Sequence, residues 1–215
     1  MKKRNFLKTL IFAIPLLISC SKDDETVISP TAEFYFFGEI DNEIVLFEEK
    51  DTVEFIGGQS NFSREGLLCS GSFKTGLYRV DRSGGIRLTL QITFYNVAEA
   101  KGECNQDDIN DIFFSELNPG DYNFSFNTPG ITTVGIHYYD ENQVSWSSIY
   151  KDQSQQNFLT VLKSESIGTD KSGKKLQKIE GVFSGYLYKL NFQTGDVVDS
   201  VFVNNGEFIY KFISE

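Results

Sequence analysis

The stretch Ile86-Arg87-Leu88-Thr89-Leu90-Gln91-Ile92-Thr93-Phe94 decides the fold class of this chain. Apolar and polar residues alternate along it without a break, which is the period-2 pattern of a strand that buries one face only. Ser83-Gly84-Gly85 stands directly before it and predicts a tight turn into the strand. We therefore expect a sheet whose inner face packs on a core.

Shorter patterns before this stretch predict further strands. Phe34-Tyr35-Phe36-Phe37 is typical of a strand, and Asp41-Asn42 predicts the turn that follows it. A strand predicted at residues 52–56 ends at Gly57-Gly58. This spacing of strands and turns indicates hairpins.

The last third of the chain reads as a meander of three strands, at residues 179–190, 197–203 and 207–213. Thr194-Gly195-Asp196 predicts the first turn. Asn204-Asn205-Gly206 is the strongest hairpin signal of the chain, because Asn and Gly tolerate positive φ. Both connections predict antiparallel pairing.

One short helix is predicted at residues 105–117. Asn105 can cap it, and Asp107 and Asp108 stand in the first turn, where acidic side chains favour the positive end of the helix dipole. Asn118-Pro119-Gly120-Asp121 ends it. The predicted fold is therefore an all-β antiparallel sandwich, or a partly open barrel, with one short helix and a single domain at residues 33–215.

Residues 1–19 have the features of a secretory signal peptide. Lys2, Lys3 and Arg4 precede a short apolar run at residues 10–18, which is too short to span a bilayer. A cysteine, Cys20, follows the expected cleavage point. Residues 20–32 then form a charged tether ahead of the domain.

The sequence Cys20-Ser21-Lys22-Asp23-Asp24-Glu25 resembles the start of mature Bacteroidota lipoproteins. The resemblance implies lipid on Cys20, with Ser21 to Glu25 as an acidic export tag for the outer face of the outer membrane. The turns Pro119-Gly120-Asp121 and Asn205-Gly206 also resemble uncharacterised lipoproteins of that group. The resemblance to this group provides no functional residue for the chain. An ordinary secretory signal and a plain solvated tether remain alternatives.

The charge of the chain disfavours nucleic acid as a partner. Removal of residues 1–19 takes away four of the 20 basic residues and no acidic residue, which leaves 16 basic against 30 acidic residues and a net charge of −14. Such a surface repels phosphate backbones. Neutral or cationic partners fit it better.

Cys69 and Cys104 remain if Cys20 carries lipid. An exported protein can form a disulfide, and this one would stabilise the fold by roughly 3–4 kcal/mol. Two separately buried thiols are the alternative.

Aromatic residues around one predicted hairpin suggest a ligand site. A platform for a sugar or a peptide is predicted from Trp146, Tyr138, Tyr139 and Tyr150. In this hypothesis the indole of Trp146 and the neighbouring tyrosine rings face solvent. By resemblance to exported Bacteroidota proteins, Thr52 and Ser200 lie in short O-glycosylation signals.

No motif of the chain predicts catalysis, a cofactor or a metal centre. Residues 168–174 match the start of a phosphate loop, but Lys175 stands where Ser or Thr is needed, and we expect a hairpin loop there. His137 is the one histidine and falls within a predicted strand. We therefore expect a lipid-anchored binding or interaction protein, with an accessory subunit of an envelope complex or an unrecognised hydrolase as alternatives.

Overall fold

The computed structural model describes residues 29–49, 53–65, 68–80, 86–99, 117–125, 131–140, 142–149, 158–191 and 193–213. These residues form eleven strands: β1 Tyr35–Ile40, β2 Glu43–Glu48, β3 Val53–Glu65, β4 Leu68–Val80, β5 Ile86–Glu99, β6 Gly120–Tyr122, β7 Thr133–Tyr139, β8 Ser145–Ser147, β9 Phe158–Thr169, β10 Lys175–Leu190 and β11 Val197–Ile213. The predicted all-β antiparallel fold is confirmed.

The predicted signal peptide, Cys20 and the export tag lie outside the described residues, as does the predicted helix except for its last residue. That residue, Leu117, is buried just before β6. Within the described ranges, no helix has the length and apolar character needed to cross a bilayer.

All eleven strands belong to one curled sheet. Its main path runs β2-β1-β11-β10-β8-β7-β5-β4-β3. The long strand β10 is the branch point, because its first half pairs with β9 and its residue Tyr188 pairs with β8. Strand β6 pairs with β9, and Phe124 then bridges to Val134 of β7. The sheet therefore curls into a half-barrel, in which β4 and β5 face β11 across the core.

The core lies between these strands. Leu90, Ile92 and Phe94 of β5 are fully buried, as their alternation predicts. The ring of Phe94 packs edge-on against Phe212 of β11, with 5.5 Å between the centroids. Nearby, the Thr75 hydroxyl of β4 donates a 2.8 Å hydrogen bond to the Lys211 carbonyl of β11. These contacts hold β4 and β5 over β11.

One prediction from the sequence, the hairpin turn at Asn204-Asn205-Gly206, is wrong. Asn204-Asn205-Gly206 is not a hairpin turn, because β11 continues through it, and a bulge opposite Ser184 of β10 absorbs the extra residue. The positive φ of Asn205, 50°, serves this bulge. Strand β10 is long enough to pair with β11 on both sides of this bulge, so the chain does not reverse direction at residues 204–206.

A second prediction, that a strand ends at Gly57-Gly58, is also wrong. The glycines do not end a strand; β3 runs on to Glu65, and its register against β4 shifts between Ile56 and Gln59. By contrast, Asp41-Asn42 forms the predicted turn, with φ of 52° and 66°.

The point where the chain enters the domain is held by several contacts. One oxygen of the buried Glu48 carboxylate accepts hydrogen bonds from the Thr31 amide, the Thr31 hydroxyl and the Ala32 amide. The ring of Phe34 lies under the Lys211 ammonium, 4.7 Å from centroid to nitrogen. We call residues 31–34 the tether root. It is fixed near the start of β10, where Glu33 contacts Lys178.

Gly181 of β10 lies where three strands pack closely. A Cβ at this position would lie 2.6 Å from Cζ of Phe208 and 2.7 Å from the Thr160 carbonyl oxygen. We expect Gly181→Ala to lower the free energy of unfolding by about 1–3 kcal/mol, because the backbone of β9 must move. Urea unfolding would measure this.

The matched control is Ser166→Ala on the neighbouring strand β9, where the side chain is exposed. This change should stay within about 0.5 kcal/mol of the parent. Equal stability of Gly181→Ala and the parent would contradict the close approach of β9, β10 and β11.

Candidate ligand-binding surface

The predicted aromatic platform does not form on one face. Trp146 of β8 is only 7% exposed, and its indole N–H donates to the Asp140 carboxylate at 3.4 Å. Tyr138 lies directly opposite Trp146 and packs on the core, whereas its neighbour Tyr139 projects to the other face. The prediction that the Trp146 indole faces solvent is therefore wrong, because strand alternation turns it inward. Tyr150 lies outside the described residues.

A different set of side chains lines up on the outer face of the sheet. Gln91 of β5 lies opposite His137 of β7, and His137 lies opposite Ser147 of β8. Ser147 lies opposite Tyr188 of β10, and Tyr188 lies opposite Ser200 of β11. Directly opposed residues share a face of a sheet. We call these five residues the outer row.

An aromatic strip crosses the outer row at Tyr188. The rings of Tyr186 and Tyr188 have centroids 6.2 Å apart and planes 25° apart. Phe202, which lies opposite Tyr186, meets it edge-on at 4.9 Å. All three rings are half-buried on the outer face. We call Tyr186, Tyr188 and Phe202 the aromatic strip.

The outer face is shielded from water where β5 meets β7. Thr93 and Thr133 are 3% and 1% exposed although they point away from the core. Ile149 lies so close above Gly135 that a Cβ there would be 2.4 Å from its Cδ1. Gln91 donates to the Thr93 hydroxyl at 3.0 Å. The end of the outer row that contains Gln91 and His137 is therefore closely packed.

The surroundings of His137 disfavour its charged form. Burial lowers the pKa of its imidazole, and the nearby Lys74 ammonium on β4 lowers it further. A neutral imidazole has one donor and one acceptor nitrogen. Its neighbour Ser147 accepts a hydrogen bond from the Ile149 amide at 3.2 Å, which leaves the hydroxyl proton to donate. The outer row therefore consists of polar side chains without a fixed charge.

The remaining predicted site residues are dispersed. Ser200 is exposed on β11, whereas Thr52 lies outside the described residues. Cys69 falls within β4 and Cys104 lies outside the described residues, so the disulfide remains a prediction. Within the described ranges, no three His, Cys, Asp or Glu side chains converge as a metal site.

The segment resembling a phosphate loop is a hairpin turn between β9 and β10, as expected. The Asp170 carboxylate closes it by accepting hydrogen bonds from the Ser172 amide at 2.8 Å, the Ser172 hydroxyl at 2.7 Å and the Lys174 amide at 2.9 Å. These bonds lower the pKa of Asp170. The turn satisfies its own polar groups.

Sequence reasoning missed the outer row and the aromatic strip. The pattern Tyr186-Leu187-Tyr188 in a predicted strand already places both tyrosines on one face. Which residues lie beside them depends on the pairing of β10 with β8 and β11, and the sequence does not reveal that pairing. Comparison of the chain with protein-family models, curated proteins and solved structures gives no match.

The single histidine makes the outer row accessible to measurement. We expect the imidazole of His137 to titrate by NMR below its ordinary pKa of 6.5. Between the two pKa values the unfolded state binds more protons, so the free energy of unfolding should rise with pH over that interval, by at most about 1.4 kcal/mol per pH unit. Urea unfolding at several pH values would follow it.

The control variant is His137→Gln, which keeps a polar side chain and has no proton to titrate. Its unfolding should lack this part of the pH dependence. A His137 midpoint at or above 6.5 would show that the imidazole is solvated and would contradict the buried position.

Proposed function

We propose that this chain is a lipid-anchored protein of the bacterial outer membrane, displayed on the cell surface, whose outer row and aromatic strip form a non-enzymatic binding surface. The signal-like residues 1–19, Cys20 and the tag Ser21 to Glu25 support the anchor and its location. The proposed binding function is supported by the position of this surface relative to the tether root.

The tether root and the binding surface lie at opposite ends of β10. Glu33 in the tether root contacts Lys178 near the start of β10, with 3.3 Å between carboxylate and ammonium. Tyr188 lies ten residues further along the same strand, about 33 Å away at the rise of a β-strand. A chain tethered at residues 31–34 would therefore direct the aromatic strip away from the membrane.

The contacts at the tether root fix the place where the chain enters the domain. Lys178 and Lys211 both lie over the ring of Phe34, at 5.9 Å and 4.7 Å. Lys211 also approaches Glu49 at 3.7 Å. Exposed ion pairs of this kind contribute little singly. Together with the Glu48 hydrogen bonds they tie the root to the sheet at several points.

The accessory-subunit alternative is supported by β2, which ends the sheet path among the described strands. β2 is the last strand on its side of the sheet path, and Ile44 on it is 63% exposed. An edge strand with an exposed apolar side chain can add a strand from a partner protein. In that function the binding surface would be the β2 edge instead of the outer row.

The export tag can be tested by substitution of Lys22, Asp23 and Asp24 with Ala. We expect the variant to stay in the outer-membrane fraction and to become resistant to protease added to intact cells, since the lipid would remain while the export signal is lost. Immunoblots before and after protease would measure this. Cys20→Ala is the control and should release the protein from the membrane. Unchanged protease sensitivity of the tag variant would contradict surface export by the tag.

The binding surface can be tested with a photoreactive benzophenone amino acid placed at Ser200, which is exposed in the outer row. Irradiation of intact cells should produce a covalent adduct of the full chain, seen as a mobility shift, because a bound ligand lies over Tyr188. The same probe at Ser166, which is exposed near the tether root, is the control and should give none.

A third probe position separates the two functions. An adduct at Ile44 with none at Ser200 would favour the accessory-subunit alternative, since the partner would then lie along β2. The absence of adducts at both positions would contradict a binding function at either surface.

A further inference from the structure

We propose that the turn between β9 and β10 binds the anionic phosphate headgroups of the membrane that holds the chain, through the exposed side chains of Lys171, Lys174 and Lys175. We call residues 170–175 the basic turn. This inference rests on the lipid anchor of the proposed function and goes beyond it by naming a second contact with the membrane. That contact orients the domain on the bilayer.

The basic turn is a local exception in an acidic chain. Three lysines stand within residues 171–175 and no acidic residue stands among them, whereas 20 of the 215 residues of the whole chain are basic. After removal of residues 1–19 the net charge is −14. An anionic membrane therefore repels the chain as a whole and attracts the basic turn. Both forces favour the same orientation, in which the basic turn is the part nearest to the headgroups.

The turn presents these lysines on a fixed backbone. The Asp170 amide donates to the Lys174 carbonyl at 2.9 Å, and the Gly173 amide donates to the Asp170 carbonyl at 3.1 Å. The φ of Gly173 is 85°, a conformation that suits glycine. The Asp170 carboxylate accepts hydrogen bonds from the Ser172 and Lys174 amides, so it faces the backbone of its own turn. A turn closed in this way loses little backbone entropy when it meets a surface.

The ammonium groups of the basic turn differ from those of the neighbouring strand. Lys163 of β9 lies 2.9 Å from the Glu165 carboxylate and 3.7 Å from the Glu180 carboxylate. By contrast, neither Lys171 nor Lys174 forms an ion pair with any residue that the structure describes. Both side chains are exposed. Their charges can therefore attract an anionic surface.

The basic turn lies at the tether-root end of the domain. Lys178 contacts Glu33 of the tether root, and Lys175 precedes Lys178 by about 10 Å along β10. From Lys178 the strand runs the opposite way to Tyr188. The basic turn and the aromatic strip therefore extend from the tether root in opposite directions. When the basic turn meets the membrane, the proposed binding surface faces away from it.

The tether reaches far enough for this contact but does not orient the domain by itself. The segment from Cys20 to Thr31 spans at most about 36–40 Å when extended, which exceeds the distance of about 10 Å from the tether root to the basic turn. An anchor of this length allows many orientations, and an electrostatic contact selects one of them. The attraction acts over a screening length of about 10 Å, so Ser166, about 10 Å further up β9 from Thr169, stays outside the contact.

The test measures energy transfer from a fluorescent amino acid to acceptor-labelled lipid headgroups, with the full lipid-modified chain reconstituted in vesicles. The fluorophore replaces Thr169, which is exposed opposite Lys175, or the exposed Ser200 as the distal reference. The vesicles contain phosphatidylcholine alone or phosphatidylcholine mixed with phosphatidylglycerol. We expect transfer from position 169 to be higher in the anionic vesicles and to fall to the phosphatidylcholine value at high salt. Transfer from position 200 should stay low in both.

Paired variants assign the effect to the basic turn. Lys171→Gln combined with Lys174→Gln should lose most of the rise in anionic vesicles. Lys171→Arg combined with Lys174→Arg should keep it, because the charge is retained. Lys74→Gln combined with Lys189→Gln is the matched control, since it removes the same charge from two sites near the outer row. It should behave as the parent does.

The outcomes distinguish this inference from the proposed function. Protein that does not incorporate into vesicles would overturn the lipid anchor and this inference with it. Incorporated protein with equal transfer from position 169 in both kinds of vesicle would overturn the inference alone. A rise that survives the paired Gln variant, or one that the Lys74 and Lys189 control also loses, would overturn the assignment to the basic turn. The photo-adduct at Ser200 on intact cells tests the binding surface independently of all three results.

Discussion

The ring of Phe94 on β5 packs against the ring of Phe212 on β11, and this contact joins two strands that are distant along the sheet path. A flat sheet would leave both rings in water. Curling the sheet brings β4 and β5 over β11 and buries the inner face of every strand between them. The Thr75 hydrogen bond to the Lys211 carbonyl fixes the same approach with a polar contact. The half-barrel therefore depends on closure of one sheet on itself.

Closure also determines what the outer face looks like. Once Phe183 and Leu187 of β10 point to the core, Tyr186 and Tyr188 must point outward, because side chains alternate along a strand. The antiparallel register then places Ser200, Ser147 and, one strand further, His137 in line with Tyr188. The outer row is a consequence of core packing combined with register.

The ion pairs of the tether root and the outer row lie near opposite ends of β10. Near its start, Lys178 and the neighbouring Lys211 contact Glu33, Glu49 and the ring of Phe34. Near its end, the outer row is made of polar side chains, and burial lowers the pKa of His137. This separation places ionic contacts where the chain enters the domain. The polar and aromatic groups of the proposed binding surface lie at the other end.

The sequence by itself determined the fold class, because alternation at residues 86–94 and at 179–190 is a local property that any neighbouring strand must respect. It also determined turns such as Asp41-Asn42, where the short connection requires positive φ. It did not determine whether Asn204-Asn205-Gly206 forms a hairpin turn or a bulge, since both use the same backbone preference. Only pairing with the 16-residue strand β10 decides between them. It likewise misplaced Trp146, whose burial follows from pairing with Tyr138. The outer row could not be predicted, because its members come from five strands that are aligned only by the tertiary register.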